Sequence, residues 1–190
     1  MAISLQKGSS LSLKKDDGSA LSNVRLGLGW DAAKRGFFGG GGEIDLDASA
    51  VLLNASGQPM DIVYFGQLGS KDGSIRHSGD NLTGDGDGDD EQIAVNLSAI
   101  PANVQSVVFV ITSYSGQKFN SVQNVYARVV DTSAGEKEVV RYNLAESAGV
   151  TANVIAKVSR DGSGWAFTAI GEYTNGKTAH DTLPVVSRHA

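Results

Sequence analysis

The chain contains no cysteine, which excludes disulfides, thiolate metal sites and a cysteine nucleophile, and fits a reducing compartment. Histidine is scarce as well. His77, His180 and His189 stand in no catalytic motif, and the sequence has neither a Gly-x-Ser-x-Gly elbow nor a His-Glu-x-x-His helix. All three are read as surface histidines, with Arg76-His77-Ser78 ending a strand. No apolar run reaches the length of a membrane span, and MAISLQKGSSLSLKK has no signal-peptide core or cleavage site, so a soluble cytoplasmic protein is expected. Positive charge is not in excess either: 16 Lys+Arg against 21 Asp+Glu give a net charge of −5, and no nucleic-acid partner is expected.

What the chain does have is concentrated acid. Asp80 to Glu91, DNLTGDGDGDDE, holds Asp80, Asp85, Asp87, Asp89, Asp90 and Glu91 and no basic residue. The other 15 acidic side chains are outnumbered by the 16 basic ones, so the whole negative balance resides in this segment. Like charges this close repel and raise one another's pKa unless a cation or bulk water screens them. Gly84, Gly86 and Gly88 let the backbone turn so that several oxygens converge, and hard oxygens on a flexible loop suit calcium. A solvated acidic loop is the plain alternative. An EF-hand does not fit: with Asp80 first and Glu91 twelfth, Leu82 takes the third position and Asp85 the sixth, where glycine is required. A calcium-binding β-helix would need the GDGDGD run to repeat, and it occurs once.

Around this segment the chain alternates apolar and polar residues with period two. Strands are expected at Ser10–Lys14, Val24–Trp30, Ile44–Leu53, Asp61–Phe65, Gln92–Leu97, Ser106–Ser113, Val125–Asp131, Glu138–Tyr142, Val154–Arg160 and Trp165–Gly171. They define an all-β chain, a β-sandwich of two mainly antiparallel sheets, with short helical turns at Leu97–Ala102 and Leu144–Ala148. The apolar run Val107 to Ile111 belongs in the middle of a sheet, whereas Val154, Ala156 and Val158 alternate with polar neighbours and predict one wet face. Arg160 to Gly164 reads as the turn of a terminal hairpin. One domain over residues 1–175 is expected, followed by a loosely packed tail at 176–190. In Ile44-Asp45-Leu46-Asp47 both aspartates fall on one strand face, where they can meet the acidic loop, and Asp31 closes another strand. Otherwise Asp31 caps a turn and Asp47 is merely exposed. The Ala32–Gly42 loop, AAKRGFFGGGG, lacks the Gly-Lys-Ser/Thr of a phosphate cradle.

Three stretches then carry a resemblance: Gly27-Leu28-Gly29-Trp30-Asp31, Ile44-Asp45-Leu46-Asp47-Ala48-Ser49-Ala50, and His77 through Glu91. Together with Asn96-Leu97, Ile100-Pro101, Val104 and Arg141-Tyr142-Asn143-Leu144, they are similar to the TerD family of bacterial tellurium-resistance and stress proteins. The glycine-rich stretch between Asp31 and Asp45 is most similar to the TerZ branch. The resemblance implies a β-sandwich without enzymatic activity that binds calcium, usually two ions, through Asp31, Asp45, Asp47, Asp80, Asn81, Asp89, Asp90 and Glu91. At Asp85 and Asp87 either the carboxylate or the backbone carbonyl is available to coordinate. It also implies other Ter proteins at the inner face of the membrane as partners. With no thiol, the chain has no evident means of reducing or binding tellurium itself. A calcium-dependent binding or scaffold module is therefore the leading reading. The alternative is peripheral membrane attachment, with Phe37 and Phe38 inserting beside Lys34 and Arg35. A metal-dependent hydrolase would need an open coordination position and a substrate pocket.

Overall fold

The computed structural model describes residues 2–32, 45–79, 88–133, 135–144 and 148–190. Its strands are β1 (Ile3–Leu5), β2 (Ser10–Ser12), β3 (Asn23–Ala32), β4 (Leu46–Leu53), β5 (Pro59–Val63), β6 (Ile75–His77), β7 (Glu91–Asn96), β8 (Ser106–Ser113), β9 (Val122–Asp131), β10 (Lys137–Asn143), β11 (Ala152–Asp161) and β12 (Gly164–Thr174), with one α-helix, α1 (Ala179–Val186). Two six-stranded sheets form, in the orders β1-β10-β9-β3-β7-β6 and β2-β12-β11-β8-β4-β5, and among the described residues only the β1–β10 pairing is parallel. They face each other as a β-sandwich, the architecture the period-two pattern predicts.

Alternation decides which side chains enter the core. From β4, Leu46, Ala48, Ala50 and Leu52 point between the sheets, as do Val107, Phe109 and Ile111 of β8. Val51 and Leu53, with Val108 and Val110, take the opposite face, and α1 covers it with Ala179 and Val186. All eight residues of β8 are buried, which explains its uninterrupted apolar run. The hairpin between β11 and β12 closes with Asp161 opposite Gly164, and Gly162 supplies the left-handed φ of 58°.

Three expectations are corrected. Residues Ala152 to Ala156 of β11 are buried on both faces, because a bulge between Val154 and Ala156 sends Val154 outward beneath α1 and Ala156 inward. The segment read as a loose tail contains α1, whose buried Ala179, Thr182 and Val186 fall on one helical face. Asp181 starts that helix by accepting hydrogen bonds from the backbone N–H of Lys177 (2.9 Å) and Thr178 (3.0 Å). Leu97 to Ala99 form turns, not a helix. Residues 145–147 of the second expected helical turn lie outside the described residues, as do Lys34, Arg35, Phe37 and Phe38 of the basic aromatic loop.

Candidate metal centre

Asp31, Asp45, Asp47, Asp89, Asp90 and Glu91 lie at one end of the sandwich, where β3 ends and β4 and β7 begin. Asp89, Asp90 and Glu91 are consecutive, yet each is held by a different part of the fold. Glu91 alternates with Ile93 on the inner face of β7 and is fully buried. Its Oε2 accepts from the backbone N–H of Ala48 at 2.6 Å, joining the base of the acidic segment to the facing sheet. His77 completes this buried junction: Nε2 lies 3.1 Å from the Ala48 carbonyl and 3.3 Å from Glu91 Oε2, and Nδ1 accepts from Gly79 N–H at 3.0 Å. Burial opposes a charge on the ring, but Glu91 outweighs it and raises the pKa. With Nδ1 accepting, the ring shown is the neutral form with its proton on Nε2. His77 is thus not the surface histidine expected; three residues were too short a strand for β6 to show in the sequence pattern.

Asp90 stays at the sheet end, accepting from Trp30 N–H at 2.8 Å. Burial pushes its carboxyl up to about 6, and repulsion from Asp31, Asp89 and Glu91 adds to the rise despite the Trp30 bond. Asp31 follows a bulge in β3 and is bonded by the Asn124 side-chain amide. Asp45 immediately precedes β4, and Asp47, 4% exposed, lies on the opposite face from Leu46 and Ala48. Asp47 is therefore buried, not the exposed residue the plain alternative pictured.

Asp89 turns to the outer face of the β3–β9 sheet, where Arg128 Nε and Nη2 reach its carboxylate at 2.7 and 3.0 Å and the Tyr126 hydroxyl at 3.1 Å. The Tyr126 hydroxyl also donates to the Gly88 carbonyl at 2.7 Å. Burial and the Asp89 charge push the Tyr126 hydroxyl up to about 12, and the bond to Asp89 holds Arg128 above its ordinary value. Two strand glycines make room: a Cβ on Gly27 would lie 2.1 Å from an Asp89 oxygen, and one on Gly29 2.4 Å from the Tyr126 ring. Arg128 and Tyr126 were missed in the sequence, although paired glycines inside a strand are the mark of such a close approach.

Asp80, Asn81, Asp85 and Asp87 lie outside the described residues. Among the described residues, no group of three or more His, Asp and Glu side chains is placed to hold a metal ion. The geometry instead brings Asp31 and Asp90 within mutual repulsion, holds His77 and Gly79 just before the acidic segment, and fixes Asp89, Asp90 and Glu91 at its end.

The folded-state pKa of Asp90, about 6, exceeds its ordinary 3.8. Its contribution to stability is therefore complete below about pH 3.8 and lost as pH rises through 6. In chelator at about pH 7.5, D90N, which keeps an acceptor for Trp30, is expected to melt above wild type, with the gap closing on acidification through 6. A pH-independent gap in scanning fluorimetry would remove Asp90 as the strained carboxylate.

Fold and site together define an all-β sandwich with a strongly acidic loop anchored at one end. The TerD domain model matches residues 1–180, and the chain belongs to the TerD family. It is 47% identical over 184 residues to the tellurium resistance protein TerZ of Serratia marcescens, covering 94% of each chain, and 44% identical to the stress response protein SCP2 of Bacillus subtilis across the full length of both. TerD of Serratia marcescens is 40% identical, covering 90% of this chain and 91% of that one. The crystal structure of a homologue of telluride resistance protein TerD from Streptomyces coelicolor A3(2) superposes with a TM-score of 0.70 at 23% identity, covering 86% of this chain and 95% of that one, a likeness of fold. The chain is thus a stress-response and tellurium-resistance protein of this family. None of these relatives carries the name of an enzyme. Among the described residues no helix is long and apolar enough to cross a membrane.

Proposed function

We propose that the protein is a calcium-binding module without enzymatic activity, in which the ion completes the acidic end and fixes a surface that a partner reads. The observation that carries this reading is Asp90, a half-buried carboxylate driven up to about 6 at neutral-pH cost, with Asp31 among the charges that repel it. A divalent cation relieves that repulsion, and carboxylate oxygens are the donors calcium prefers. Asp31, Asp45, Asp47 and Asp90 would supply ligands from the ordered strands, and Asp80, Asn81, Asp85 and Asp87 from the loop. Glu91, bonded to Ala48, would orient the loop from below. Asp89, already engaged by Arg128, would contribute chiefly as an anchor. In place of the chemistry of a hydrolase, the ion would supply charge neutralisation and loop order. Two ions per chain are expected.

Isothermal calorimetry on chelator-treated protein tests this directly. Calcium binding at two sites is expected, with D45A and D90N each weakening it and D16A, remote on the surface, leaving it unchanged. Asp61 makes a poor control, because it accepts from Ile62 N–H, Lys71 N–H and Gln67 Nε2 and so holds its own turn together. Absence of calcium heat from wild-type protein would end the proposal.

A further inference from the structure

Four of the five exposed large apolar side chains among the described residues, Met60, Phe65, Leu68 and Tyr114, come from β5, the turn after it and the turn after β8. Two of them meet edge to face, Phe65 against Tyr114 at 5.9 Å, and Tyr64 joins by contacts with Phe65 at 5.2 Å and His180 of α1 at 5.3 Å. Their place follows from register. β5 ends at Val63 opposite Ala50, and β8 ends at Ser113 opposite Leu46. The Phe65–Tyr114 contact therefore spans the start of β4, beside Asp45, at the same end of the sandwich as the acidic segment.

The turn is built to hold these rings outward. Tyr64 and Gln67 exchange backbone hydrogen bonds of 3.1 and 2.9 Å, and the Tyr64 ring covers Gly66 so closely that a Cβ there would lie 2.6 Å away. Two lysines lie on the segments that adjoin the rings. Lys118 follows Tyr114 by four residues, and Lys177 follows Gly176, which is tied through Thr151 to Ser113. Both lysines are exposed and make no ion pair among the described residues. Neighbouring acids are occupied internally: Asp61 by its turn and Asp181 by the start of α1.

We propose that this end of the sandwich docks on an anionic lipid membrane, with Phe65, Leu68 and Tyr114 entering the headgroup boundary and Lys118 and Lys177 meeting the anionic headgroups. This rests on the calcium reading, since a chain of net charge −5 with bare carboxylates beside the rings is repelled by such a surface until a cation neutralises them. Four side chains expose far less than the roughly 800 Å² per partner that a stable protein–protein interface buries. An apolar centre, amphipathic tyrosines and a lysine rim instead match the polarity layers of a bilayer interface.

Co-sedimentation of the full chain with phosphatidylcholine vesicles, with and without phosphatidylserine, in calcium or chelator, tests the proposal. Wild type is expected to bind the phosphatidylserine vesicles in calcium, and F65S/Y114S to bind at least about tenfold more weakly with unchanged melting temperature and calcium titration. K118E/K177E is expected to lose the preference for phosphatidylserine. Undiminished binding by F65S/Y114S overturns the proposal. So does calcium-loaded wild type that fails to sediment, an outcome that assigns the surface to a protein partner. If calorimetry shows no calcium binding, the calcium reading fails separately. Vesicle binding in chelator then decides the aromatic surface: loss in F65S/Y114S upholds it, and no binding by wild type overturns it.

Discussion

Excess calcium is expected to raise the midpoint of thermal unfolding by roughly 5–11 °C over its value in chelator. A ligand that binds only the folded chain stabilises it by about 2.7 kcal/mol at a hundredfold excess over Kd, and each kcal/mol moves the midpoint of a domain this size by about 2–4 °C. Magnesium at the same concentration is expected to do much less, since it demands octahedral geometry and sheds water reluctantly. The D45A variant is expected to lose most of the calcium-induced shift while its calcium-free form holds or gains stability, because removing one of several crowded carboxylates relieves repulsion. Calorimetric scans in chelator, calcium and magnesium give the comparison. Equal shifts from the two ions, or a full calcium shift in D45A, would contradict the assignment.

Arg128→Ala is expected to cost about 3 kcal/mol of folding stability, the lower end of the range for removing one partner of a buried ion pair. The lower end applies because the Arg128 side chain is 24% exposed, whereas that of Asp89 is fully buried and would be left without its cation. The same substitution frees Glu138, which Arg141 still holds at 2.9 Å, so the loss concentrates on Asp89. R128A/D89A is expected to recover much of the cost, which a double-mutant cycle in urea reads as coupling between the two sites. Additive costs would mean that Arg128 stabilises the sheet without anchoring the acidic segment.

The sandwich was legible in the sequence because its strands carry their environment in their alternation. β8 was bounded correctly, since a strand covered on both faces is apolar throughout. α1 was not legible, as eight residues interrupted by Pro184 leave no helical period, although Thr178-Ala179-His180-Asp181 spells a capping box. At the site, spacing could show that Asp89, Asp90 and Glu91 are acidic neighbours, but not that they part company. Their divergence depends on Arg128, Trp30 and Ala48, which lie 39 to 60 residues from their partners in sequence and become neighbours only through pairing of β3 with β7 and β9 and the facing of β4 against β7. His77 was misjudged for the same reason: its burial comes from the opposite sheet.

The parallel pairing of β1 with β10 has a consequence for how the chain is made. Ile3 finds its partner in Val140, and Ser10 on β2 finds Thr168, so both strands are synthesised well before the strands that pair with them. At about 5–20 residues per second, β1 waits roughly 7–27 s for β10 to be synthesised. Through that interval β1 is an unpaired strand, open to chaperones and to neighbouring chains, and an outer border of each sheet closes only once β10 and β12 have been made.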